Sequence, residues 1–149
     1  MIDNAPFDDR SPRLGLPFLF PGQAQREFYV NESLARLDVL VHPVIESEVS
    51  STPPTPVAGQ TFLISDATGD WENRNGQLAF WDGQIWTFLS PFEGLRIFDK
   101  SAGRYLLFKA TWEKGTVLTE PAGGTTVDIQ ARAAIAEIVG IMRQFGLAD

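Results

Sequence analysis

From Thr61 to Glu113 the chain alternates short apolar runs with turn-forming residues, and this alternation limits the possible folds more than any other feature. The runs TFLIS, QLAFW, IWTFL, LRIFD and YLLFKATW, with TVLTE just beyond, are short and rich in β-branched and aromatic residues. Between them lie SDATGD, ENRNG, DGQ, SPFEG and KSAG. Asn-Gly and Asp-Gly are hairpin signals, because glycine supplies the positive φ that tight turns demand. The pattern predicts an antiparallel β meander over residues 60–118. FLISDATGDW, LAFWDGQIW and LRIFDKSAGRY each place an apolar run, an Asp-led turn and then an aromatic. This weak internal repeat reads as repeated hairpins, with Asp66, Asp82 and Asp99 closing the turns.

STPPTPVAG, residues 51–59, reads as an extended Pro-rich linker and marks the expected boundary of the β module. Ahead of it, residues 23–50 predict a helix and a strand. Asn31 is a suitable N-cap, Glu32 suits the positive end of a helix, and Leu34, Leu37, Leu40 and Val41 follow at helical spacing. Pro43 ends that helix at about His42. VIESEV then alternates apolar and acidic residues, as a single strand with one wet face would. Gln23 to Val30 fits either an earlier helical turn or a strand. Residues 1–22 carry Pro6, Pro12, Pro17, Pro21, Gly15 and Gly22, which oppose regular structure. Leu14, Leu16, Phe18, Leu19 and Phe20 are nonetheless too apolar for a solvated tail. The expectation is an extended arm, packed on its own chain or on a neighbouring subunit.

Residues 119–149 read as a hinge, PAGG, followed by a helix, QARAAIAEIVGIMRQFG, that stops at Gly146. Thr125 or Thr126 can cap it, with Asp128 in the first turn. Ala131, Ile135, Ile138, Met142 and Phe145 recur at spacings of 4, 3, 4 and 3, the rhythm of a coiled coil, and Ala134 and Ile141 widen the stripe. Such a helix either packs on its own domain or joins subunits. The expected class is therefore α+β: an N-terminal extended arm and helix, a small antiparallel β module, and a C-terminal heptad-patterned helix.

The formal charge of −7 and the scarcity of Lys and Arg, 12 in all and nowhere clustered, argue against nucleic acid and anionic lipid as partners. No cysteine is present, which removes disulfides, iron–sulfur clusters and thiolate zinc sites. No apolar run is long enough for membrane insertion, and the acidic, Pro-rich start lacks the features of a secretory signal. Nothing here assembles into an active site. His42 is the single histidine and sits beside Pro43 at a helix end. No nucleophile elbow, phosphate-binding loop or dinucleotide fingerprint occurs, and GGTT at 123–126 resembles a phosphate loop only superficially. Asp66 with Asp70, and Asp82 with Asp99, are the best carboxylate pairs for glycoside hydrolysis, and all lie in expected turns. Asp66, Asp70, Glu72 and Asn73 could offer oxygens to calcium, but the spacing is not that of an EF-hand. The expectation is a non-enzymatic protein with no metal and no cofactor.

Aromatics are the remaining constellation, with four Trp, eleven Phe and two Tyr. Trp81 and Trp86 flank the Asp82–Gly83 turn, and Trp71 and Trp112 lie nearby in sequence. Exposed indole faces stack on sugar rings, yet a thin β module also needs large aromatics for its core. Trp81 is odd and Trp86 even in number, so a two-residue turn need not put both rings on one face.

RLGLPFLFPGQAQREFYVNESLARLDVLV resembles the start of an uncharacterised domain family found in prophage tail regions and gene-transfer-agent clusters of bacteria. The resemblance rests on the arm, then Gly22-Gln23-Ala24-Gln25, then Asn31-Glu32-Ser33-Leu34-Ala35-Arg36-Leu37-Asp38, where Ser33 departs slightly from the family's pattern. The Pro-rich linker, the GDW step and FWDGQIWTFLSPFEG extend it over about residues 11–108. The last stretch, VDIQARAAIAEIVGIMRQFGL, is similar to helices that end many small phage tail and fibre proteins. The resemblance implies a structural or receptor-binding component, of tail-fibre or spike type, in a phage or gene-transfer-agent particle assembled in the bacterial cytoplasm. It further implies a homo-oligomer, with a trimer favoured, partnered by other tail or particle proteins. The alternative, read from the aromatics and not from the resemblance, is a carbohydrate-binding module with a host-surface glycan as partner, for which Trp81, Trp86, Trp71 and Trp112 are the candidate contacts. The heptad spacing makes Ala131, Ile135, Ile138, Met142 and Phe145 the candidate subunit contacts.

Overall fold

Helix α1 spans Arg26–Leu40, so the segment before Val30 is helical rather than extended over its described part. The computed structural model describes residues 10–22, 26–115, 117–119, 121–125 and 127–148. The expectations for residues 1–9, 23–25, Thr116, Glu120 and Thr126 lie outside these. Because the helix already runs at Arg26, Asn31 is not its N-cap but an interior residue. Its side-chain amide grips the arm: Leu19 N–H donates to Oδ1 at 2.8 Å, and Nδ2 donates to the Leu19 carbonyl at 3.0 Å. One turn of the arm is held by Asp38, which is fully buried. The Asp38 carboxylate accepts from the Ser11 hydroxyl at 2.7 Å, Arg13 N–H at 3.0 Å and Leu14 N–H at 2.6 Å. Arg13 also donates to the His42 carbonyl at 2.7 Å, closing off the helix end. The arm is thus packed on its own chain.

VIESEV does not form one strand. It forms two, β1 (Val44–Ile45) and β2 (Glu48–Val49), and they belong to different sheets. Six further strands follow: β3 (Thr61–Ile64), β4 (Leu78–Trp81), β5 (Trp86–Leu89), β6 (Arg96–Asp99), β7 (Arg104–Phe108) and β8 (Trp112–Lys114). One sheet has the order β1-β6-β7-β8 and the other β2-β3-β4-β5. Each is an antiparallel three-stranded meander with one short parallel strand added at its edge. The fold is thus α+β as expected, with the antiparallel β module divided between two related sheets.

Residues 43–49 tie those sheets together. The Pro43 and Ile45 carbonyls accept from Phe98 and Lys100 in one sheet, Glu46 N–H donates to Thr61 in the other, and Ser47 and Val49 accept from Leu63 and Ser65. Lys100 adds an ion pair to Glu46 at 2.7 Å. The linker at 51–59 consequently does not bound the β module, since strands before and after it pair with each other. YLLFKATW also divides, because Lys109 N–H bonds the Thr111 carbonyl and turns the chain between β7 and β8. Residues 117–119 of the TVLTE run form no strand.

The main core lies between the sheets. Alternation along each strand sends Leu63, Leu78, Phe80 and Leu89 from one sheet toward Ile45, Ile97 and Leu106 from the other, with Ala35 and Val39 of α1 joining the same cluster. Each fully buried Leu, Ile or Phe contributes about 1.5–3 kcal/mol. This seam therefore outweighs the scattered surface ion pairs, worth about 0–1 kcal/mol each.

Helix α2 spans Ile129–Gln144 and is capped by Asp128, whose carboxylate accepts from Ala131 N–H at 2.9 Å. Asp128 is thus the cap itself, replacing the expected Thr125 or Thr126. The strap ahead of it is tied back to the helix: Arg132 donates to the Pro121 and Gly123 carbonyls, and Arg143 to Leu118. Past the helix, Gly146 accepts from Tyr105 N–H at 2.9 Å, which docks the tail beside β7.

Candidate functional site

The sheet of β2 to β5 turns its outer face away from the main core, and that face carries most of the tryptophans. Trp81 and Trp86 are direct cross-strand partners. Opposed residues share a face, so residues 82–85 form a four-residue loop and the odd–even expectation fails. The two indole rings lie 5.1 Å apart at 45°. Trp86 is the hub of the cluster. Trp71 meets it edge-on at 5.1 Å and Phe62 at 6.1 Å, and Trp71 also meets Phe88 at 5.7 Å. The Arg74 guanidinium caps the Phe88 ring at 3.7 Å.

The four expected glycan contacts do not form one surface. Trp71 is 3% exposed and anchors a small core with Ile64 and Ala79. A single 3₁₀ turn, Gly69–Trp71, turns it inward. Trp81 and Trp86 are half-buried and stay together. Trp112 belongs to the other sheet, where it packs on Phe108 at 5.2 Å and donates from Nε1 to the Gly76 carbonyl at 2.9 Å.

The carboxylates serve the turns. Asp82 Oδ1 accepts from the N–H groups of Gln84 and Ile85 at 2.7 and 2.8 Å. Asp99 Oδ1 accepts from Ser101 N–H, the Ser101 hydroxyl and Ala102 N–H, and Asp99 is buried. Asp82 lies in the loop between β4 and β5 of one sheet and Asp99 at the end of β6 in the other, and each is committed to its own loop. The hydrolytic pairing of Asp82 with Asp99 is not supported. Asp66 adopts a positive φ of 50° in its turn and is exposed, as is Asp70. Among the described residues, no group of three or more His, Cys, Asp or Glu could hold a metal ion. No helix among them is long and apolar enough to cross a membrane.

The heptad stripe of α2 faces outward. Ile135, Ile138 and Phe145 are 39%, 57% and 63% exposed. Ala131 is exposed as well, and only Met142 of the five is half-buried. The face turned to the chain itself is a different one, formed by Arg132, Ala136 and Val139, of which Val139 alone is fully buried. Ile141 widens the exposed apolar surface of this stripe. The sequence spacing found the stripe; burial decides which way it points.

Sequence reading missed the arm clamp, Asn31 and Asp38. Asn31 resembles any helix cap, and only the mid-helix carboxylate of Asp38, set between Leu37 and Val39, signalled that something polar had to be satisfied there.

A family profile described as a protein of unknown function (DUF2793) matches residues 30–113. That stretch is more than half of the 149 residues and runs from within α1 to β8, leaving the arm and α2 outside it. No curated protein matches the chain.

Proposed function

The chain belongs to the DUF2793 family, and we propose that it is a non-enzymatic structural or receptor-binding component, of tail-fibre or spike type, in a phage or gene-transfer-agent particle. In this reading α2 joins copies of the chain into a homo-oligomer, a trimer by preference, and the two-sheet module is displayed for contact with other particle proteins or a host-surface glycan. The exposed stripe of Ile135, Ile138 and Phe145 carries the proposal. A helix of 16 residues is marginal alone, and its stability comes from packing an apolar face. Here the chain buries little beyond Val139, so the remaining apolar face calls for a cover. Spacings of 4 and 3 on that face are self-complementary between copies of one helix. Display of several copies on one particle would turn weak surface contacts into strong attachment.

The chain has no cysteine, which allows a direct test by single-cysteine cross-linking. Ile138→Cys, on the stripe, is expected to form an intermolecular disulfide on mild oxidation, because only facing Cβ atoms can be bridged. Ala133→Cys, on another exposed face of the same helix, is expected to remain free. Equal cross-linking at both positions, or none at Ile138→Cys, would count against the assembly.

Glycan stacking on the outer aromatic face is the second reading. The pairing of half-buried Trp81 and Trp86 favours it, and it now rests on those two residues without Trp71.

A further inference from the structure

A cleft of about 470 Å³ lies between β2 and β3 on one side and β7 and β8 on the other. That volume falls within the range of about 300–1,000 Å³ usual for small-ligand sites. Trp112 and Phe108 line it as an edge-to-face pair, and the bond from Trp112 Nε1 to the Gly76 carbonyl fixes the indole in place. Glu48 and Lys114 face each other across the cleft wall at 2.5 Å, joining the edge strand of one sheet to the edge strand of the other. Gln77 and Asn75 supply amides. Among the described residues, the Gln77 Oε1 is buried and has no hydrogen-bond partner.

We infer that this cleft is a binding site for a neutral, polyhydroxylated ring, that is, a sugar residue of a glycan. Aromatic rings beside amides and a carboxylate offer the two contacts such a ring needs, apolar for its C–H faces and hydrogen-bonding for its hydroxyls. Charge argues the same way. Glu48 and Lys114 neutralise each other, so the wall favours neither an anion nor a cation, and the chain's charge of −7 further disfavours phosphorylated or acidic ligands. The site is separate from the outer aromatic face, since Trp112 is in the other sheet from Trp81 and Trp86. The inference rests on the receptor-binding half of the proposed function and not on subunit assembly.

The four tryptophan indole N–H signals allow a test on the full chain, with Trp112 reporting the cleft and Trp71, Trp81 and Trp86 the outer face. Free glucose, galactose, rhamnose, N-acetylglucosamine and their disaccharides would each be titrated while all four signals are followed by NMR. The expected result is a saturable shift of the Trp112 signal by at least one sugar, with the other three unmoved. Glu48→Gln should weaken that binding about tenfold while leaving the spectrum otherwise folded, because a charge-assisted acceptor is lost. Shifts at Trp81 and Trp86 without Trp112 would overturn the cleft assignment and leave glycan binding standing at the other face. No shift with any sugar, or unchanged affinity in Glu48→Gln, would overturn the cleft proposal. None of these outcomes bears on cross-linking through α2, so the two proposals fail separately.

Discussion

Trp81 and Trp86 stand directly opposite each other on β4 and β5, with their indole rings 5.1 Å apart. Their environments differ sharply. Among the described residues, Trp81 has its ring contact with Trp86, whereas Trp86 also meets Trp71 and Phe62. Both are half-buried, and Trp86 makes more of the cluster's ring contacts.

Urea denaturation should separate these roles. Trp86→Ala is expected to cost about 3 kcal/mol, the lower end for a large aromatic removed from a packed site. Trp81→Ala should cost about 1 kcal/mol, in line with the loss of one aromatic pair. The reverse order would show that the cluster is not organised around Trp86.

The arm depends on Asp38. Its carboxylate accepts three hydrogen bonds from Ser11, Arg13 and Leu14. Asp38→Ala leaves those donors without their acceptor and should destabilise the chain by about 2–3 kcal/mol. Trypsin should then cut at Arg13 well before it cuts the β sheets. Unchanged protection of Arg13 would show that the arm is held by its apolar residues instead.

Gly146 is the tightest point of the C-terminal docking. Its φ is 67°, and an added Cβ would lie 3.0 Å from the Gly103 carbonyl oxygen, 3.1 Å from the Phe98 ring and 3.2 Å from the Arg104 Cα. Two of these neighbours are backbone and cannot yield cheaply. Gly146→Ala should release the tail, cost about 1–3 kcal/mol from the strained conformation, and speed hydrogen exchange at the Tyr105 amide that the tail now protects. Normal exchange at Tyr105 would mean that the tail tolerates the methyl group.

Much of this architecture was legible in the residues. The strands from β3 to β7 stand where apolar runs meet Asp and Gly, because those turns use the side-chain and backbone chemistry that the letters announce. Asp82 and Asp99 close their loops as the repeat implied. Several of the failures share a cause, which is that partners distant in sequence decided the outcome. Two strands of two residues each, β1 and β2, carry too little alternation to be told from one longer strand, and only pairing with β6 and β3 divides them. The β7–β8 turn at Lys109 to Thr111 contains no Gly, Pro, Asn or Asp to announce it. Asn31 lost its expected capping role to the arm, and Trp71 lost its exposure to Trp86 and Phe88. The stripe of α2 was visible as spacing, but whether it faced its own sheets depended on where Gly146 anchors the helix.

Assembly through that stripe is the central claim, and the mass of the chain in solution tests it most directly. Light scattering should compare the unaltered chain with the double variant Ile135→Glu, Ile138→Glu, which places charges on exposed positions that its own fold does not need buried. The unaltered chain should scatter as a trimer and the variant as a folded monomer. A monomer in both cases, or an oligomer that survives both charges, would contradict that claim.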